Sequence, residues 1–188
     1  MYIIKEANVM HKEELWQEYN QAGEPIKNGG CPAHTDSRNN LRHGVSRIWL
    51  FRKHGNTFEV LFQKRSPYVR NANKYDASAG GHVNYQESPQ DAAVRESREE
   101  IGADLKKSEL KFFETSVNKW SMFFDFLYDW TGKPDDFHFD DQEVSEVRWI
   151  EFDNLDDFVK KHTKDTIALE HPQVIELLKR EILTHGDN

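Results

Sequence analysis

Cysteine is almost missing from this chain. Cys31 is the only one in 188 residues, which excludes an intrachain disulfide framework. No stretch approaches the ~20 apolar residues of a membrane-spanning helix, and the opening Met1-Tyr2-Ile3-Ile4-Lys5 lacks the plan of a signal peptide. Cations are in deficit, with 25 Lys and Arg against 33 Asp and Glu and a formal charge of −8. A sequence-independent binder of nucleic acid polymers would want a basic stripe. Internal repeats and low-complexity runs do not occur. These absences lead us to expect a cytoplasmic protein whose partners are neither membranes nor nucleic acid polymers. They leave oligomeric state open.

What is present suffices for a core: 37% hydrophobic residues and 12% aromatics, read as one domain over residues 1–188. Residues 13–19 and 25–26 flank Asn20-Gln21-Ala22-Gly23 and read as a hairpin. The stretch 28–42, made of Gly, Pro, Asn, Asp and Ser, reads as loop. Two β-branched and aromatic runs, 45–52 and 57–63, pair across His54-Gly55-Asn56. Lys64 and Arg65 then place two cations at the mouth of the second strand. A short strand over 76–83, a pair over 110–117 and 121–130, and a last strand over 147–152 follow. Asp153 or Asn154 is placed to cap a short helix carrying Leu155, Phe158 and Val159. Val174, Ile175, Leu178 and Ile182 mark an amphipathic helix over about 172–184. The expected class is α/β: an α/β/α sandwich around a mixed β-sheet, with an N-terminal hairpin extension and a C-terminal helix.

The segment from Gly81 to Ala103 organises the rest. Ser88 is suited to cap a helix, Pro89 to its first position, and Asp91 to a capping box. Gly102 follows Ile101 as a terminating glycine should. Val94, Ser97 and Ile101 share one face, and Glu96, Glu99 and Glu100 line roughly the opposite one. The glutamates repel at three- and four-residue spacing by about 0.2–0.5 kcal/mol per pair. Two of them also oppose the helix dipole. No cation answers from the C-terminal side, where Glu100, Ala103 and Asp104 stand. A solvated charged face would tolerate such a run, but a local rule broken in a cluster is also where function is expected. Three converging carboxylates make a hard-oxygen site for Mg²⁺ or Mn²⁺.

The spacing runs Gly81, five residues, Glu87, seven residues, Arg95-Glu96, two residues, Glu99-Glu100, one residue, Gly102. It resembles the Nudix box. Ser97 and Ala103 depart from it, standing where that family usually has large aliphatics. The order of elements over about 30–160 also resembles the Nudix fold. The resemblance implies that Glu96, Glu99 and Glu100 hold the metal, with the Gly81 carbonyl as a further oxygen ligand. It implies too that Arg95 pairs with Glu87 to fix the turn.

A narrower resemblance, to the isopentenyl diphosphate isomerase branch, rests on Cys31-Pro32-Ala33-His34, His43, Gln63-Lys64-Arg65-Ser66 and Asp76 to Val83. It implies metal-binding histidines at His34, His43 and His82. Gly80, however, stands at the isomerase's catalytic cysteine, and of its later carboxylate pair only Asp125 matches, with Phe123 in the other place. In the aromatic strand 121–130, Asp125 needs a cation, either metal or arginine. A glutamate of the box (Glu96, Glu99 or Glu100) or a downstream carboxylate is expected to take the proton of the attacking water. Glu143 and Glu146 are candidates for such a distal base, and Lys64 and Arg65 for phosphate contact. The expected activity is metal-dependent hydrolysis of a small-molecule diphosphate, such as a nucleoside diphosphate derivative. Isomerase chemistry and a non-catalytic binding module remain the alternatives.

Overall fold

Two adjacent strands set the architecture because they are apolar on both faces. In Ile48-Trp49-Leu50-Phe51 no side chain is more than 1% exposed, and Val60-Leu61-Phe62 is fully buried. Strands of this kind need cover on each side of the sheet. The computed structural model describes residues 15–32, 41–139, 142–162, 164 and 173–186 and provides that cover. Ile48, Leu50, Leu61, Phe126 and Tyr128 pack with Ala93 and Ile101 of helix α1 (Pro89–Ile101). Trp49, Phe51, Phe62, Leu127 and Ile150 pack on the other face. There they meet Leu155 of α2 (Leu155–Lys161) and Val174, Ile175, Leu178 and Ile182 of α3 (Gln173–Gly186). The expected sandwich is therefore observed.

Among the described residues nine strands form one mixed sheet. Its centre is β3 (Arg42–His54), with β8 (Ser121–Asp129) parallel along one edge from His43 to Phe51. The other edge of β3 is shared. Toward its start it pairs with β6 (Ala79–His82), and toward its end with β4 (Thr57–Arg65). The sheet thus forks, and Ser78 holds the fork: its hydroxyl donates to the Leu61 carbonyl at 2.6 Å and accepts from the Leu50 N–H at 2.8 Å. β9 (Val144–Glu151) extends the sheet beyond β4, and β5 (Tyr75–Asp76) pairs with the edge of β4 that faces β3. β7 (Lys111–Val117) lies outside β8. β1 (Leu15–Tyr19) pairs with β3 and with β2 (Pro25–Pro32), giving the N-terminal hairpin.

Three readings need correction. Residues 28–32 are strand, because β2 continues to Pro32 opposite Leu15. The strand expected over 76–83 is two strands, split by the fork so that β5 follows β4 and β6 follows β3. Asn154 does not cap α2 with its side chain; its amide donates to Glu151 at 2.9 Å. Among the described residues no helix is long and apolar enough to cross a membrane.

Candidate functional site

Helix α1 begins and ends where its residues dictate. Ser88 Oγ accepts from the Asp91 N–H at 3.1 Å, and Gly102, at φ 69°, turns its N–H back to the Arg98 carbonyl. Ser97 and Ala103 lie in the core, so these two positions serve packing. Ser97 Oγ donates to the Ala93 carbonyl at 2.8 Å. The same face of the helix carries Glu100, only 3% exposed, so the three glutamates do not share one open face.

Each carboxylate is held differently. Glu100 Oε2 accepts from the Gly80 N–H at 2.7 Å and from Gln63 Nε2 at 3.0 Å, both beside the fork. The Glu96 carboxylate packs on the Cα of Gly81, where any Cβ would collide with it. Arg95 Nη1 donates to Glu96 at 2.7 Å and to the exposed Glu99 at 2.9 Å. The same guanidinium bridges both Glu87 oxygens at 3.0 Å and reaches the His82 carbonyl at 2.9 Å. One arginine thus ties the turn to the helix and meets Glu96 and Glu99 from the N-terminal side.

Burial dominates the electrostatics. Desolvation lifts Glu96 to about 7 against the pull of Arg95, with Glu99 and Glu143 adding repulsion. It also pushes Glu100 well above the carboxylate range, although the Gly80 N–H opposes it and Glu96 and Asp76 reinforce it. Asp76 is raised by burial as well, with Arg65 3.9 Å away pulling it down. Glu99 and Glu143 raise Glu96, and Glu96 and Asp76 raise Glu100, a set of hard oxygen donors whose chemistry suits a divalent cation.

A family model described as the NUDIX domain matches residues 41–176. The chain belongs to the Nudix family. An uncharacterized Nudix hydrolase of Clostridium acetobutylicum is 39% identical over 69 residues, which are 36% of this chain and 33% of that protein. The match therefore spans about a third of that relative's length. The Nudix domain of Shewanella oneidensis NrtR, in complex with ADP ribose, superposes with a TM-score of 0.60 at 19% identity. That superposition covers 80% of this chain and 95% of that one. A C. elegans Ap4A hydrolase binary complex gives 0.52 at 21% identity, covering 77% and 99%. At such identities the two structures establish a shared Nudix fold.

The remaining candidates scatter around the Nudix helix. Glu143 faces Glu96 closely enough to raise it, and its carbonyl accepts from the Ser66 N–H at 2.8 Å. Arg65 lies near enough to Glu100 to act on it, and its Nε donates to the Arg70 carbonyl. The Lys64 ammonium sits 5.7 Å from the centre of the Tyr75 ring. Glu146 instead pairs with Arg148 at 2.6 Å. Asp125 takes the arginine alternative: fully buried, it accepts from Arg47 at 2.7 and 2.8 Å and from Trp49 Nε1 at 2.8 Å. His82 stacks on Trp16 with ring centres 3.5 Å apart, and His43 Nε2 meets Ser121 Oγ at 2.8 Å. His34 lies outside the described residues.

Sequence reasoning missed Gln63, Asp76 and the Gly80 N–H. The signal for Gln63 was there: a polar residue closing the apolar run Val60-Leu61-Phe62. Among the described residues, one group of three His, Cys, Asp or Glu side chains brings its ligand atoms within 4.8 Å of one another, and it is not the glutamates of α1 but His54, Glu59 and Glu151 at the β3–β4 hairpin. Arg52 already meets Glu59 there, and Asn154 meets Glu151.

Proposed function

We propose that this chain is a divalent-metal-dependent pyrophosphohydrolase acting on a small organic diphosphate, such as a nucleoside diphosphate derivative. The observation that carries this reading is the burial of Glu96 and Glu100, with one arginine shared between Glu96 and Glu99 and, among the described residues, only neutral donors hydrogen-bonded to Glu100. Such carboxylates destabilise the fold unless they serve a ligand. In this reading Glu96, Glu99, Glu100 and the Gly81 carbonyl hold Mg²⁺ or Mn²⁺. The bound metal would screen phosphoryl charge and lower the pKa of a water. Arg95 orients Glu96 and Glu99, and a box glutamate or Glu143, whose charge acts on Glu96, receives the proton in this reading. Arg65, beside Glu100, is the cation best placed for phosphate contact.

The isomerase alternative is weakened by local packing. A Cβ at position 80 would lie 2.6 Å from the Ser46 carbonyl, so a cysteine there requires β3 to move. The decisive experiment is a panel of ADP-ribose, Ap4A and other nucleoside diphosphate derivatives, scored for released phosphate products with and without Mg²⁺ or Mn²⁺. Metal-dependent cleavage of at least one, lost in Glu99→Gln and Glu100→Gln, is expected. No cleavage of any, or unchanged turnover in both variants, refutes the hydrolase assignment.

A further inference from the structure

Gln63 is an expensive residue to bury. It is 1% exposed, at the end of β4 and opposite Asp76 of β5. Its amide has two ends, and only one is met. Nε2 donates to Glu100 Oε2 at 3.0 Å, whereas Oε1 is buried without a hydrogen-bond partner among the described residues. An unmet buried acceptor costs about 1–3 kcal/mol. A methionine of similar length would fill the same space without that cost. Packing therefore does not account for the glutamine; its one contact does.

That contact is specific in direction. The Gly80 N–H and Gln63 Nε2 both donate to the same oxygen of Glu100, Oε2. Two donors converging on one oxygen fix the rotation of the carboxylate and leave Oε1 as the lone-pair donor for a ligand. Gly80 brings its N–H from β6 and Gln63 its amide from β4, so the carboxylate is clamped between the two branches of the forked sheet.

We infer that Gln63 is a positioning residue for the metal site: it orients Glu100 so that Oε1 is presented to a divalent cation. This rests on the reading of Glu96, Glu99 and Glu100 as metal ligands. The partners that orient metal ligands typically contribute ten- to hundred-fold in affinity.

The test is Mn²⁺ binding to the full chain, followed by electron paramagnetic resonance of free Mn²⁺, for wild type, Gln63→Met and Gln63→Asn. Methionine keeps the shape and removes the donor; asparagine keeps the donor and withdraws it by one methylene. Near-UV circular dichroism identifies any variant that does not fold, and either folded variant decides the question. The expected result is a Kd for Mn²⁺ raised tenfold or more. A smaller rise in a folded variant, with wild type binding Mn²⁺, overturns the role of Gln63 and leaves the glutamate site standing. Should wild type bind no Mn²⁺, the metal reading itself falls and this inference with it.

Discussion

Glu96 makes the acidity of the site measurable without a substrate. Its carboxyl is lifted from an ordinary value near 4.5 to about 7, chiefly by burial. Keeping it ionised in the fold therefore costs about 3 kcal/mol relative to the unfolded chain. The folded form holds its proton more tightly, so between those two values it binds more protons than the unfolded form. Stability is then highest below about pH 4.5, falls as pH rises toward 7, and is flat above. Burial raises Glu100, Asp76 and Glu18 with the same sign. The carboxyls lowered by surface cations, Asp91, Glu109 and Glu181, act below about pH 4.5, outside this window. For a domain of this size, 3 kcal/mol corresponds to about 6–12 °C in Tm.

The assay is thermal unfolding from pH 5 to 8, in EDTA and again in millimolar Mg²⁺ or Mn²⁺. We expect Tm in EDTA to fall with rising pH, and the metal to restore most of the loss at pH 8 by binding only the folded form. Glu96→Gln should flatten the EDTA profile by its own share. A profile flat from pH 5 to 7 in EDTA, or a slope that neither metal changes, refutes the claim that these carboxylates are uncompensated.

Glu100→Gln should keep both hydrogen bonds through its amide oxygen, raise Tm in EDTA at pH 8, and lower metal-dependent kcat at least a hundredfold. A loss of stability would contradict the burial argument. Gly81→Ala places a methyl on the Glu96 carboxylate, so metal affinity should fall at least tenfold, as read by Mn²⁺ titration. Arg47→Leu leaves Asp125 buried without its cation and should cost about 3–5 kcal/mol in urea unfolding, far more than any surface pair. Gly80→Cys should not confer exchange of deuterium from solvent into isopentenyl diphosphate, and it should lower Tm.

Residues near in sequence were legible; residues brought together by the sheet were not. Helix α1 was written in full, from Ser88 to Gly102, because caps and termination are local chemistry. The Arg95–Glu87 pair followed from the family resemblance and is present. Spacing alone could not tell that Glu100 turns inward, since that depends on two donors from β4 and β6. Nor could it separate arginine from metal as the partner of Asp125, because Arg47 belongs to another strand. The single strand expected over 76–83 failed for a related reason: apolar alternation does not report which neighbour a strand chooses.

The order in which this sheet can be assembled follows from β8. Arg47 and Asp125 are 78 residues apart in the chain, yet they lie opposite each other in the parallel pair at the centre. Pairings so distant in sequence form slowly, since the intervening chain must be gathered before any contact rewards it. During synthesis, everything the box needs locally has left the ribosome well before the strand that completes β3. Until then the central strand keeps one edge unpaired, and that edge is where a nascent or truncated chain would be caught by chaperones or by another copy of itself.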